Sequence, residues 1–335
     1  MLEVKNVVKG YDNGQEALCS VSLSVEGKGV YAILGDKGAG KTTFARIICG
    51  CEDADGGEVL WNGEAMCRKN TVLKKNVRLV PSELLLDNTT TSNEYLDFVG
   101  DTLEIAPEKR YRQIKEALEL VAIDDVQNRP FSALNYSQRC RLAIAAALLG
   151  NPEVLVLDDP FAKIRESELP EFCQLVEMLG KIKTVLLFTH STDEVRKLSE
   201  YIYILHDGKI ALGGVLSEIL EKLNSTCQIY MSVRGEEQTV CEAIRTLDTV
   251  LDVRVTGTEK NGARSVSVEY SHDEMIKEKL FSALARVNAP ILSMNTVILG
   301  LDDIFYTFRS SSKRTENSES NSKKKSRRAE RRDEK

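Results

Sequence analysis

Gly29-Val30-Tyr31-Ala32-Ile33-Leu34 runs directly into Gly35-Asp36-Lys37-Gly38-Ala39-Gly40-Lys41-Thr42-Thr43. A continuous apolar run is the mark of a strand buried on both faces, as in the parallel sheets of α/β proteins. The glycine-rich turn that follows has the P-loop spacing, and a helix over Thr43 to Ile48 is expected to open behind it. Gly35, Gly38 and Gly40 let backbone N–H groups converge on a phosphate without Cβ obstruction, and the helix turns its positive end to the same anion. Lys41 adds a point charge at the β- and γ-phosphates, and the Thr42 hydroxyl suits a magnesium ion. Asp36 is an odd neighbour for a phosphate unless its side chain points away.

A second apolar run, Val154-Leu155-Val156-Leu157, ends in Asp158-Asp159. The first carboxylate is placed to hold magnesium through water, and the second to orient or deprotonate an attacking water. Thr184-Val185-Leu186-Leu187-Phe188-Thr189 reads as a third buried strand, with His190 just beyond it. Ile114, Ala117, Leu118 and Val121 lie at helical spacing within residues 108–121. After a short helix near residues 216–223 the pattern becomes strand (228–233), helix, strand (251–256), strand (265–270), helix, strand (291–297). That order is the split β-α-β arrangement of a ferredoxin-like module.

Composition narrows the class. The chain has 335 residues, 42% hydrophobic and 29% charged, ordinary for a globular protein of two domains and unlike collagen-like or wholly disordered chains. No apolar run approaches the roughly 18 residues of a spanning helix, and charges at Glu3 and Lys5 argue against a signal peptide. The eight cysteines are scattered, with only Cys49 and Cys51 close, so free packing thiols are expected rather than zinc. From Ser310 onward there are 10 Lys or Arg and 5 Asp or Glu, a net of +5, while the whole chain carries −6. This basic tail, with no apolar periodicity, is expected to be disordered. It would suit an anionic membrane surface, whereas the lack of aromatic side chains in it argues against nucleic acid.

On these residues the chain resembles the ATPase subunits of ATP-binding cassette (ABC) transporters, over nearly all of residues 1–309. Tyr11 stands where that family stacks an aromatic ring on adenine. Asp55-Gly56-Gly57-Glu58-Val59 matches the turn after the first helix, and Asn93 to Phe98 the approach to a helical subdomain. Leu134-Asn135-Tyr136-Ser137-Gln138 occupies the signature position, Asp158-Asp159-Pro160 follows at the family spacing, and His190 matches the switch histidine. The second module, with Leu301-Asp302-Asp303-Ile304-Phe305, resembles the C-terminal extension of small prokaryotic exporter ATPases of the sodium-efflux and gliding-motility type.

The resemblance implies an α/β P-loop NTPase of ABC type, a mixed sheet core plus helical subdomain, over residues 1–218. A small ferredoxin-like α+β domain over 219–309 and the basic tail, 310–335, would follow. It implies an ATP-hydrolysing subunit with ATP and Mg2+ as cofactors, working as a homodimer or as a heterodimer with a second ATPase subunit. A separate membrane-spanning permease would hold it at the cytoplasmic face of the cell membrane. Tyr11 and residues Gly35 through Thr43 would bind ATP, including Lys37 and Ala39. Thr42 and Asp158 would hold the metal, Asp159 and His190 would act in catalysis, and Asn135, Ser137 and Gln138 would reach the partner's nucleotide.

Four departures from the family pattern concern hydrolysis and contact between subunits. The usual Leu-Ser-Gly-Gly-Gln signature survives only at Leu134 and Gln138, with Tyr136 and Ser137 in place of glycines. Ser82 replaces a glutamine that contacts magnesium and water. Asp159 replaces a glutamate, withdrawing its carboxylate by roughly 1.5 Å. Ala162-Lys163-Ile164-Arg165 replaces the run after Pro160. Slow turnover is therefore expected, and a regulatory half of a heterodimer is the alternative. A cytosolic ABC ATPase acting on ribosomes or nucleic acid fits less well, since such chains usually carry two cassettes, whereas one P-loop and a small extension are present here.

Overall fold

The computed structural model describes residues 1–12, 14–66, 75–223, 226–259, 262–271, 273, 275–297 and 301–302. The basic tail and Asp303-Ile304-Phe305 lie outside them. The chain divides into two compact units, one ending at Leu216 and the other beginning at Ser217.

In chain order the first unit contains β1 (Leu2–Gly10), β2 (Glu16–Val25), β3 (Gly29–Gly35), α1 (Lys41–Ile48), β4 (Gly56–Trp61), β5 (Glu64–Ala65) and β6 (Val77–Val80). It continues with α2 (Ser92–Thr102), α3 (Pro107–Leu120), α4 (Tyr136–Leu148), β7 (Val154–Asp158), α5 (Leu169–Ile182), β8 (Thr184–Thr189), α6 (Thr192–Leu198), β9 (Tyr201–His206) and β10 (Lys209–Val215). Helix α7 (Leu216–Leu223) begins at the boundary.

The central sheet has the order β10-β9-β3-β8-β7-β6, parallel from β9 to β6 and closed by the antiparallel β9–β10 hairpin. A second, antiparallel sheet has the order β2-β1-β4-β5. The unbroken apolar runs are explained by the strand period of two, which gives each face of the central sheet its own core. Val154, Val156, Leu186 and Phe188 join α1 and the antiparallel sheet. Leu155, Leu157, Val185 and Leu187 join α4, α5 and the helices of the 92–148 region.

Helix α1 is thus packed between two sheets, with Phe44 fully buried and edge-to-face with Phe188 at 5.7 Å. It begins at Lys41, two residues earlier than the sequence suggested, because Gly40 takes the left-handed backbone of its N-cap (φ 96°).

Helix α2 starts at a capping box. Glu94 N donates to Thr91 Oγ1 at 3.2 Å, and Thr91 N donates to Glu94 Oε2 at 2.8 Å. Thr91→Ala removes the side-chain half of this exchange and is expected to cost about 1 kcal/mol. The check is a lower urea midpoint with an unchanged slope.

The second unit holds β11 (Thr226–Val233), α8 (Glu237–Arg245), β12 (Val250–Thr258), β13 (Arg264–Ser271), α9 (Ile276–Arg286) and β14 (Ile291–Val297). Its sheet has the order β12-β13-β11-β14 with every neighbouring pair antiparallel. This element order and strand order are those of a ferredoxin-like module. Ile229, Met231, Val266 and Val268 face Val240, Ile244, Leu280 and Leu284 of the two helices in one core. Among the described residues no helix is long and apolar enough to cross a membrane.

Candidate functional site

The turn between β3 and α1 is compact because its glycines are required. A Cβ at Gly40 would lie 2.2 Å from the Ala17 carbonyl oxygen, and one at Gly35 would lie 2.7 Å from that of Leu205. Gly38 has φ 86° with open space around its missing Cβ, so conformation rather than crowding demands glycine there. Ala39 is buried against Gly35.

Lys41 is 8% exposed and lies along the loop. Its Nζ donates to the Gly35 oxygen at 2.7 Å and to the Asp36 oxygen at 2.8 Å. An ammonium carries three donors, so two brace the loop and the third is left for a phosphate oxygen. Burial pushes the Lys41 pKa below its ordinary value, against the pull of Asp159 and Asp158.

Asp158, the last residue of β7, is 4% exposed. Thr42 Oγ1 donates to its Oδ1 at 3.2 Å. Burial raises the Asp158 pKa, and the Thr42 hydrogen bond works against that rise. Asp159 follows in the left-handed region (φ 49°), which aspartate enters at lower cost than most residues. Its N–H donates to the Phe188 oxygen at 2.8 Å, and its Oδ1 is 3.0 Å from His190 Nδ1.

Gly38, Gly40, Lys41, Thr42, Asp158 and Asp159 line one open cavity of about 380 Å³, together with Tyr11, Gln15, Ala17, Lys37, Thr43 and Ser82, whereas Gly35, Asp36 and Ala39 are not among its lining residues. The Tyr11 hydroxyl is 2.9 Å from Thr43 Oγ1, and Tyr11 as a whole is 41% exposed. His190 joins through Asp159. Gln15 and Ala17 escaped the sequence reading because only the β1–β2 pairing carries them to the loop.

The signature residues lie apart from the cavity lining. Asn135 and Gln138 form the capping box of α4: Gln138 N donates to Asn135 Oδ1 at 2.8 Å, and Asn135 N to Gln138 Oε1 at 3.0 Å. Asparagine is among the best N-caps, so replacing serine keeps the helix start intact. Ser137 is buried. The seven cysteines among the described residues are free thiols.

Two hard oxygen donors, Thr42 and Asp158, point to one place beside a phosphate-shaped loop. They fit magnesium, which takes one or two protein oxygens and completes its shell with phosphate and water. No cluster of three or more acidic, His or Cys ligands occurs among the described residues.

A buried strand, a glycine turn, the N-terminus of a helix and a carboxylate pair at the end of β7, the next strand but one in the sheet, define a P-loop ATPase. Residues 18–162 match the family model described as ABC transporter, which makes this part of the chain an ATP-binding domain of that type.

The linearmycin resistance ATP-binding protein LnrL of Bacillus subtilis (strain 168) is 25% identical over 91% of this chain and 97% of its own length. The spermidine/putrescine import ATP-binding protein PotA of Spiroplasma citri is 32% identical over 65% of this chain. That of Hahella chejuensis (strain KCTC 2396) is 31% identical over 67%. The chain spans 63% and 62% of these two import proteins.

Among solved structures, cbiO1 from Clostridium perfringens, part of the complex cbiONQ, aligns with TM-score 0.58 at 23% identity, over 67% of this chain and 94% of its own. The cassette MJ0796, in a dimeric post-hydrolysis state bound to ADP and Pi, aligns with TM-score 0.58 at 24% identity, over 64% and 99%. At that identity the likeness is one of fold.

Proposed function

We propose that this chain is the energising subunit of an ABC exporter, binding ATP with magnesium and hydrolysing it slowly while docked on a separate membrane-spanning permease. The observation that carries the reading is the 380 Å³ cavity, in which the loop amides, Lys41, Thr42 and Asp158 converge. Loop N–H groups would hold the β- and γ-phosphates, and Tyr11 would stack on the base. Thr42 and Asp158 would hold magnesium, which when bound neutralises charge on the phosphate oxygens. Asp159, oriented by His190, would position the attacking water. The outward direction rests on the relative named for linearmycin resistance, which matches nearly end to end, whereas the import proteins match only in part.

Two copies would close over nucleotide, a reading supported by the dimeric state of the MJ0796 cassette bound to ADP and Pi, with Asn135, Ser137 and Gln138 facing the partner's phosphates. A heterodimer in which this chain regulates and a second ATPase subunit hydrolyses is favoured by one finding. Tyr136 is bonded inside its own chain, through its hydroxyl to the Ser82 oxygen.

The test is titration of the purified chain with a fluorescent ATP analogue, with and without magnesium, alongside phosphate release. Saturable binding that unlabelled ATP displaces and magnesium strengthens is expected, with slow release. Absence of displaceable binding sinks the proposal. Co-purification of a different ATPase subunit from the source cell would decide for the heterodimer.

A further inference from the structure

Three of the departures from the family pattern meet in space. The loop after β6 reaches from Pro81 to Thr91 without helix or strand, apart from a bridge at its end, so something else must hold its cavity-lining residue, Ser82. The Tyr136 hydroxyl, on the first residue of α4, donates to the Ser82 oxygen at 3.0 Å. Lys163, from the loop after β7, places its ammonium 5.6 Å from the Tyr136 ring centroid and 3.8 Å from Glu83 Oε1. Cys140 Sγ, one turn further along α4, lies 3.8 Å from the Pro160 oxygen of that same loop. Residues 82–83, 136–140 and 160–163, far apart in sequence, are bound into one cluster at the edge of the phosphate cavity.

We infer that Tyr136 is a positioning residue for the nucleotide site of its own chain, holding the Ser82 segment in the place where it meets the metal-bound nucleotide, with Lys163 and Glu83 bracing the same contact. The inference rests on the nucleotide reading above and deepens it. A glycine at 136 supplies no such contact, and serine at 82 is too short to reach the metal unless its backbone is held forward. Burial of the Tyr136 hydroxyl keeps it protonated, and therefore a donor, well above neutral pH. The exposed pair Lys163–Glu83 contributes mainly geometry, being open to solvent on both sides.

Tyr136→Phe removes one oxygen and keeps the ring. Loss of a single hydrogen bond from a preorganised loop corresponds to about a fivefold weaker affinity. That loss is expected for the fluorescent ATP analogue with magnesium, and no loss with the metal chelated, because Ser82 acts only towards the metal-bound form. Glu83→Gln should move the same measurement in the same direction by less, with the melting temperature of both variants near that of the parent. Equal affinities of parent and Tyr136→Phe in magnesium overturn the inference. So does equal weakening with and without the metal, or weakening accompanied by a large fall in melting temperature, since these mark a role in the fold alone. A parent chain that binds no better than Lys41→Met would instead defeat the nucleotide reading.

Discussion

Lys41→Met is expected to weaken ATP binding about 100-fold while leaving the protein folded. A hydrogen bond to a charged group contributes about 1.5–3 kcal/mol, the upper end of which corresponds to that factor. Lys41 is buried, so its charge acts on a phosphate with little water between them. Methionine keeps the length of the stem but leaves the Gly35 and Asp36 oxygens without the donor they share. The ammonium's own desolvation cost disappears at the same time, which offsets the loss of those bonds. Competition titration against the fluorescent analogue measures the affinity, and circular dichroism checks the fold. Undiminished affinity would place the nucleotide elsewhere in the molecule.

Asp159→Glu is expected to raise the rate of ATP hydrolysis by up to about 10²-fold, because a misplacement of about 1 Å at a reacting group can cost that much. The present carboxylate stands immediately after β7 and leans on His190 at 3.0 Å. One more methylene would bring it further into the cavity it already lines. Affinity for ATP should change little, since the phosphate contacts belong to the loop and Lys41, so the effect falls on kcat rather than KM. Steady-state phosphate release at saturating ATP is the measurement. If the rate stays at the parental level, reach is not what limits turnover, and the contact in trans becomes the stronger explanation.

The phosphate loop and the strand ending in Asp158 were legible because their chemistry is local. Glycines, a lysine and a hydroxyl must stand at fixed spacing around one anion, and an apolar run can be read over five or six residues. The ferredoxin-like order was legible for the same reason, its strands and helices having clear periods. Strand β1 hid itself. Asn6 takes φ 50°, and the pairing with β2 slips between Val4 and Val7, so Leu2, Val4 and Val7 do not keep one alternation. Strand β2 has a similar interruption at Ser20, φ 64°. Two capping boxes, Thr91 with Glu94 and Asn135 with Gln138, are readable from their spacing. The meeting of Ser82, Tyr136 and Lys163 is not, because only the assembled sheet and α4 bring them together.

The place of α1 between two sheets bears on how the site can be lost. Its residues Phe44, Ile47 and Ile48 belong to the same core as Val154, Val156 and Phe188 of the central sheet and as Val4 and Val21 of the antiparallel one. Segments anchored on every side exchange their amide hydrogens only when the surrounding unit opens as a whole. The helix that carries the phosphate lysine therefore belongs to the last part of its unit to come undone, and local fraying would leave the grip on nucleotide in place.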